Sequence, residues 1–236
     1  MVAGQEHKKP AGRMTQLKWL LVVVFLLFSL AEGIYLVYKL QVSDMTLRQY
    51  FLQRVYPVIM KMAGKTATRL EQKGVQPPLS FYTLQAVQNN DSVLDFSAFR
   101  GKKVLLVNTA SDCGYTGQYA ELEELHRRFP GAVVVLGFPA NDFKEQEKGD
   151  DATIAQFCKR NYGVSFPIFK KASVIKGTHQ HPVYRWLTDP AQNGWNSKTP
   201  SWNFSKYLVN EAGELTHYFD PAVSPLGEEV IQALEQ

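Results

Sequence analysis

Among the reactive side chains of this 236-residue chain, Cys113 stands in the position best suited to chemistry. It follows the apolar run Val104-Leu105-Leu106-Val107-Asn108-Thr109-Ala110 and the pair Ser111-Asp112, and it precedes Gly114-Tyr115-Thr116 and a helical pattern. A thiol at a strand-to-helix turn faces main-chain amides and the positive end of the helix dipole, and both favour thiolate over thiol. A thiolate is a nucleophile, so this placement makes a reactive cysteine. Position alone also fits an inert role, because free cysteine is often simply a small buried hydrophobe.

Other chemistries find little support. The second cysteine, Cys158, is too distant for a Cys-x-x-Cys pair, and no Gly-rich phosphate loop is present. His179 and His181 alternate in a loop without a third ligand, so no metal and no cofactor is expected. His126 and His217 read as solvated or packed.

The elements that must position Cys113 come after an unusual N-terminal arm. Residues 1–78 carry 11 Lys and Arg against 4 Asp and Glu, whereas residues 79–236 carry 15 against 18. The basic charge therefore belongs to the arm, and nothing in the remainder suggests a nucleic-acid surface. Trp19 to Tyr38 is a 20-residue stretch with one charge, Glu32, long enough to cross a bilayer as a helix. Lys8, Lys9, Arg13 and Lys18 precede it, which leaves the N-terminus in the cytoplasm and sends the rest across. A cleaved secretory signal ending near Ser29-Leu30-Ala31 is the competing reading, and it exports the C-terminal part as well. The continuation through Ile34 to Tyr38, with interfacial Tyr35 and Tyr38, favours an uncleaved anchor.

Residues 41–73 show partly helical spacing of Leu47, Tyr50, Phe51, Val55, Val58, Ile59 and Met62, with Pro57 as a kink. A stalk is the expectation; a helix lying on an anionic membrane face is the alternative. Gly74-Val75-Gln76-Pro77-Pro78 reads as a linker. The expected organisation is a cytoplasmic basic tail over 1–18, a span over 19–38, stalk and linker over 39–78, and a globular domain over 79–236.

Within that domain the pattern predicts a hairpin from Phe81–Val87 and Val93–Phe96, and a strand–helix–strand unit from Lys103–Ala110, the Tyr119/Leu122/Leu125/Phe129 stripe and Ala132–Phe138. A helix over Asp151–Tyr162 is closed by Gly163. Phe166–Phe169 is a short strand candidate, Lys206–Val209 and Leu215–Phe219 pair, and a closing helix starts at Ser224-Pro225. The fold class is α/β, a thioredoxin-like sandwich with a central mixed sheet flanked by helices, plus the N-terminal transmembrane helix.

Four segments carry a family resemblance: Val107-Asn108-Thr109-Ala110-Ser111-Asp112-Cys113-Gly114-Tyr115-Thr116, Leu136-Gly137-Phe138-Pro139-Ala140-Asn141-Asp142-Phe143, Phe166-Pro167-Ile168-Phe169 and Trp202-Asn203-Phe204. In order and spacing the chain resembles glutathione peroxidases over about residues 79–236. The resemblance implies that Cys113 attacks a peroxide oxygen and is left as a sulfenic acid, with Trp202 and Asn203 completing its polar surroundings. Their chemistry suits the task, because the departing oxygen needs a donor: the indole N–H donates, and the Asn amide donates and accepts. Without the other segments, Trp202 would read as core packing and Asn203 as a turn amide.

Cys158, in Gln156-Phe157-Cys158-Lys159-Arg160-Asn161-Tyr162, matches the resolving cysteine of thioredoxin-dependent members of that family. The resemblance thus implies a Cys113–Cys158 disulfide, reduced by a thioredoxin-like dithiol in preference to glutathione. A buried thiol on a helix face, with Ile154 one turn earlier, is the inert reading. One departure stands at Asp142, where the family usually has glutamine; it is expected to be protonated, turned away, or replaced by Asn141. The segment Glu145-Gln146-Glu147-Lys148-Gly149 also departs, which is expected to affect a surface loop more than the reaction.

The resemblance and the anchor together lead to an expected extracytoplasmic thiol peroxidase (periplasmic if the source is a Gram-negative bacterium), acting in response to oxidative stress. Its substrates would be hydrogen peroxide and organic or lipid hydroperoxides, and its neighbour the lipid bilayer. The short interval from Leu187 to Trp202 lacks the longer loop that resembles an oligomerisation element, which implies a monomer. Two alternatives are a peroxide-coupled thiol–disulfide oxidoreductase for client proteins and an inactive membrane-anchored binding module.

Overall fold

The computed structural model describes residues 12–43, 45–63 and 68–236, so the first part of the expected basic tail lies outside the described residues. The chain forms two compact units, one ending at Ser43 and one running from there to Gln236. In the first, α1 (Gly12–Ser43) is a single helix. Its Lys18–Tyr38 stretch, 21 residues with mean hydropathy 2.5, is long and apolar enough to cross a membrane.

The second unit holds the sheet. β1 (Arg69–Glu71), β4 (Lys103–Thr109), β5 (Val133–Pro139), β6 (Lys206–Val209) and β7 (Leu215–Phe219) pair in the order β1-β7-β6-β4-β5. Only β4 and β5 run parallel; the other neighbours are antiparallel, so the sheet is mixed. β4 is an interior strand, between β6 and β5, and is buried on both faces, which explains its unbroken apolar run. The sheet begins at Arg69, inside the stretch whose pattern predicts stalk and linker. A separate hairpin joins β2 (Gln85–Val87) to β3 (Val93–Asp95) through a turn in which Asp91 takes φ 70°.

Helices close both faces. α3 (Gln118–Arg128) and α4 (Asp151–Tyr162) bury Tyr119, Leu122, Leu125, Ile154, Phe157 and Cys158. Local chemistry sets the ends of α4: the Asp150 side chain accepts from Thr153 N, and Gly163 at φ 65° supplies the left-handed C-cap. Short helices α5 (Pro182–Thr188) and α6 (Pro190–Asn193) were not evident in the sequence pattern; each starts with proline after a capping side chain, His181 or Asp189. α5 packs Tyr184 and Trp186 against Phe81, Phe138 and Tyr207.

Two expected elements differ. Phe166–Phe169 makes only isolated bridges, Ile168 to Gly137 and Phe169 to Gln88, because Pro167 has no N–H to continue a ladder. The closing helix α7 (Glu228–Glu235) starts four residues after Ser224, whose hydroxyl instead accepts from Leu226 N at 3.1 Å in a preceding turn.

Helix α2 (Leu47–Ala63) belongs to this second unit and contains Pro57. It lies against residues 111–121 as part of the fold. Gln49 Nε2 donates to Ser111 O at 3.1 Å, Arg48 pairs with Asp112, and Tyr56 OH donates to Glu121 at 2.5 Å.

Candidate active site

Strand register brings three loops to one end of β4. Thr109 pairs with Pro139 at the end of β5, and Val107 pairs with Lys206 at the start of β6. The segments that leave β4, leave β5 and enter β6 are therefore neighbours: the Cys113 turn, residues 140–147, and Trp202-Asn203. Main-chain bonds lock them, from Ala140 N to Thr109 O at 3.0 Å and from Phe204 N to Asn108 O at 2.6 Å.

The turn at Cys113 is tied on both sides. Thr116 Oγ1 accepts from Cys113 N at 2.9 Å and donates to Ala110 O at 2.9 Å. Tyr115 N points at the sulfur, 3.4 Å away. Trp202 and Asn203 also face the sulfur and, with the Tyr115 amide, lower its pKa; burial outweighs all three and sets the resting thiol above its ordinary value, with Asp112 adding to the rise. The helix-dipole expectation is thus corrected: the donors are present, but a thiol only 1% exposed is desolvated more than it is stabilised.

Asn203 is fully buried. Its Nδ2 donates to Gln146 Oε1 at 2.9 Å, while its Oδ1 has no partner, an unsatisfied acceptor. Phe204 takes φ 68°, an uncommon state for a bulky residue, and its ring meets Tyr119 edge-on at 5.4 Å. That bend directs the two preceding side chains to the end of β4. Asn108 Nδ2 and Ser205 Oγ hold the Trp202 carbonyl at 3.0 and 3.1 Å.

Asp142 is turned away from the sulfur. Its carboxylate accepts from Ser173 Oγ at 3.0 Å and Val174 N at 2.7 Å. Asn141 uses its Oδ1 to accept from Glu147 N at 2.8 Å. The amide that meets Asn203 comes from Gln146 instead. Lys144 and Glu145, both at φ 51°, fold the chain back so that Gln146 and Glu147 point inward.

The expectation of a mere surface change in this segment is therefore corrected. Glu147 is fully buried, with one carboxylate oxygen on Ser111 Oγ and the other unpaired. Burial pushes its pKa up to about 7 against the pull of its Ser111 bonds.

Cys158 is buried on α4 and is not among the groups facing Cys113; both thiols are free. Burial raises its pKa to about 12, the neighbouring Tyr119 hydroxyl opposes the rise, and the Glu147 charge adds to it. His181 caps α5, its Nδ1 accepting from Val183 N at 3.2 Å.

A cysteine at the β4–α3 turn of a thioredoxin-like fold, faced by an indole and a buried amide, defines a thiol-dependent oxidoreductase. The glutathione peroxidase family model matches residues 81–188. The chain is 37% identical to the glutathione peroxidase homolog BsaA of Bacillus subtilis, covering 67% of this chain and 100% of that protein. It is 40% identical to the glutathione peroxidase-like peroxiredoxin HYR1 of Saccharomyces cerevisiae, covering 66% and 97%. The crystal structure of T. cruzi GPX1 matches with TM-score 0.50 at 28% identity, over 65% of this chain and 92% of that one. The chain belongs to the glutathione peroxidase family.

Proposed function

We propose that this member of the family is a thiol peroxidase that uses Cys113 as its peroxidatic thiol and Cys158 as its resolving thiol. Family membership carries the activity class, and the convergence of Tyr115 N, Trp202 and Asn203 on the Cys113 sulfur is the observation that supports the site. The Cys113 thiolate attacks one peroxide oxygen, the O–O bond breaks, and the departing alkoxide or hydroxide leaves as an alcohol or water after taking a proton. Trp202 and Asn203 hold donors where that negative charge develops.

The sulfenic acid is then resolved. Cys158 loses its proton, its sulfur attacks Cys113 Sγ, and the sulfenic oxygen leaves as water, giving a disulfide. The two Cα atoms must come within about 7 Å for that bond to form; wherever α4 holds Cys158 farther away, the helix must partly unwind. A thioredoxin-like dithiol supplies the two electrons that restore both thiols, becoming a disulfide itself. The name of the yeast relative, a glutathione peroxidase-like peroxiredoxin, supports this reading, as does the second cysteine.

We place the enzyme as a monomer anchored by α1, with the catalytic unit on the extracytoplasmic side and lipid hydroperoxides among its substrates. The length and hydropathy of Lys18–Tyr38 and the positive charge before it support this. The test is peroxide consumption by the full chain in detergent, driven by a thioredoxin system or by glutathione. The expected result is thioredoxin-driven turnover abolished by C113S and by C158S; equal turnover with glutathione in C158S would overturn the two-thiol route.

A further inference from the structure

Helix α2 has two faces that both have consequences for the active site. At about 100° per residue, Leu47, Phe51, Val58 and Met62 fall within a stripe about 60° wide. All four are more than half exposed. The opposite side carries the contacts with the peroxidatic turn: Gln49 to Ser111, Tyr56 to Glu121, and Met60 Sδ accepting from Gln118 Nε2 at 3.6 Å. The catalytic unit is shaped for this helix. A Cβ on Gly117 would lie 2.5 Å from the Tyr56 ring, and one on Gly114 would lie 3.5 Å from Ile59 Cδ1. Gly117 has ordinary right-handed dihedrals, φ −56° and ψ −21°, so glycine is needed there for space and not for backbone freedom.

The outer stripe needs an occupant, and charge and chain length select one. Residues 45–63 contain Arg48, Arg54 and Lys61 and no acidic residue, with Arg54 and Lys61 bordering the apolar stripe. Apolar residues flanked by basic ones on one helix face suit the boundary between acyl chains and anionic headgroups. Leu47 follows Tyr38, the end of the apolar run, by nine positions, so the chain holds it within about 30 Å of that point even fully extended.

We propose that α2 is an interfacial helix whose Leu47/Phe51/Val58/Met62 face lies on an anionic bilayer surface, and that it thereby presents the Cys113 turn to hydroperoxides carried by membrane lipids. This rests on the anchored-peroxidase reading and specifies its substrate. The turn then sits about one helix diameter, about 10 Å, from the surface, within reach of an oxidised acyl chain. Soluble peroxides need no such platform.

The test uses the full chain reconstituted in vesicles of phosphatidylcholine and phosphatidylserine, with bromine-labelled lipids as quenchers. The fluorescence that F51W adds to that of the parent is expected to be blue-shifted and quenched by bromines near the headgroups; added emission that is red and unquenched overturns the proposal. A second variant, L47Q/F51Q/V58Q/M62Q, is expected to keep hydrogen peroxide turnover while kcat/KM for vesicle-borne phospholipid hydroperoxide falls about tenfold. Equal rates on both substrates, or equal losses, overturn it. A parent inert to hydrogen peroxide would defeat the peroxidase reading, and the fluorescence would still decide the docking.

Discussion

Replacing Glu147 by glutamine separates the buried carboxyl from everything else that titrates near neutrality. Glu147 is fully buried, one oxygen is on Ser111 and the other is unpaired, and burial raises its pKa from 4.5 to about 7. A folded-state pKa above the unfolded value means that its stabilising contribution is fully present below about pH 4.5, declines as pH rises towards about 7, and is gone above that. A shift of about 2.5 units corresponds to about 3 kcal/mol, or about 6–12 °C in melting temperature for a unit of this size. Lys206 titrates in the same range with the opposite sign: burial pushes it down to about 7, so stability is lost as pH falls through that value. Parent and E147Q both carry Lys206, so their difference isolates Glu147. Thermal unfolding of the full chain in detergent at pH 5 and pH 8 is expected to show E147Q gaining on the parent by that amount at the higher pH. Parallel curves for the two proteins would refute the reasoning, since they would mean that Glu147 is solvated or already paired as the anion.

Other perturbations test separate parts of the site. G117A places a methyl against the Tyr56 ring and is expected to cost about 1–3 kcal/mol of stability, a cost that Y56A removes when the two are combined; an additive double mutant by thermal unfolding would contradict the docking of α2. N203A removes the buried amide facing Cys113 and is expected to slow sulfenic acid formation about 100-fold in stopped-flow measurements, with W202F having a smaller effect in the same direction. D142A leaves Ser173 Oγ and Val174 N without their acceptor and is expected to cost about 1–3 kcal/mol of stability. Its rate with peroxide should stay within about threefold of the parent; a collapse in that rate would put Asp142 back in the reaction.

The sequence pattern revealed the elements whose signals are local. The Val/Leu runs of β4 and β5 report strands buried on both faces, and Asp150 and Gly163 mark the ends of α4 by capping chemistry. Cys113, Trp202 and Asn203 were legible as a set only through the family resemblance of their segments; the structure adds the register that brings the neighbouring strand ends to one place. What stayed hidden depended on distant parts of the chain. Gln146 and Glu147 reach the site only because Lys144 and Glu145 adopt left-handed backbone, for which neither residue type is a signal. Nothing local marks Gly117 as special; its need for glycine comes from Tyr56, 61 positions earlier, which occupies the space beside it. The late start of α7 follows from Ser224 binding Glu121 and Leu226 N instead of capping a helix.

In the proposed mechanism Cys113 takes the oxygen and Cys158 resolves it. One equivalent of peroxide added to the reduced full chain, followed by thiol blocking and peptide mass mapping, tests it most directly. The expected products are a Cys113–Cys158 disulfide and, in C158S, a sulfenic acid on Cys113. A persistent sulfenic acid on Cys113 in the parent with Cys158 free to alkylation, or a Cys113 that peroxide leaves reduced, would contradict it.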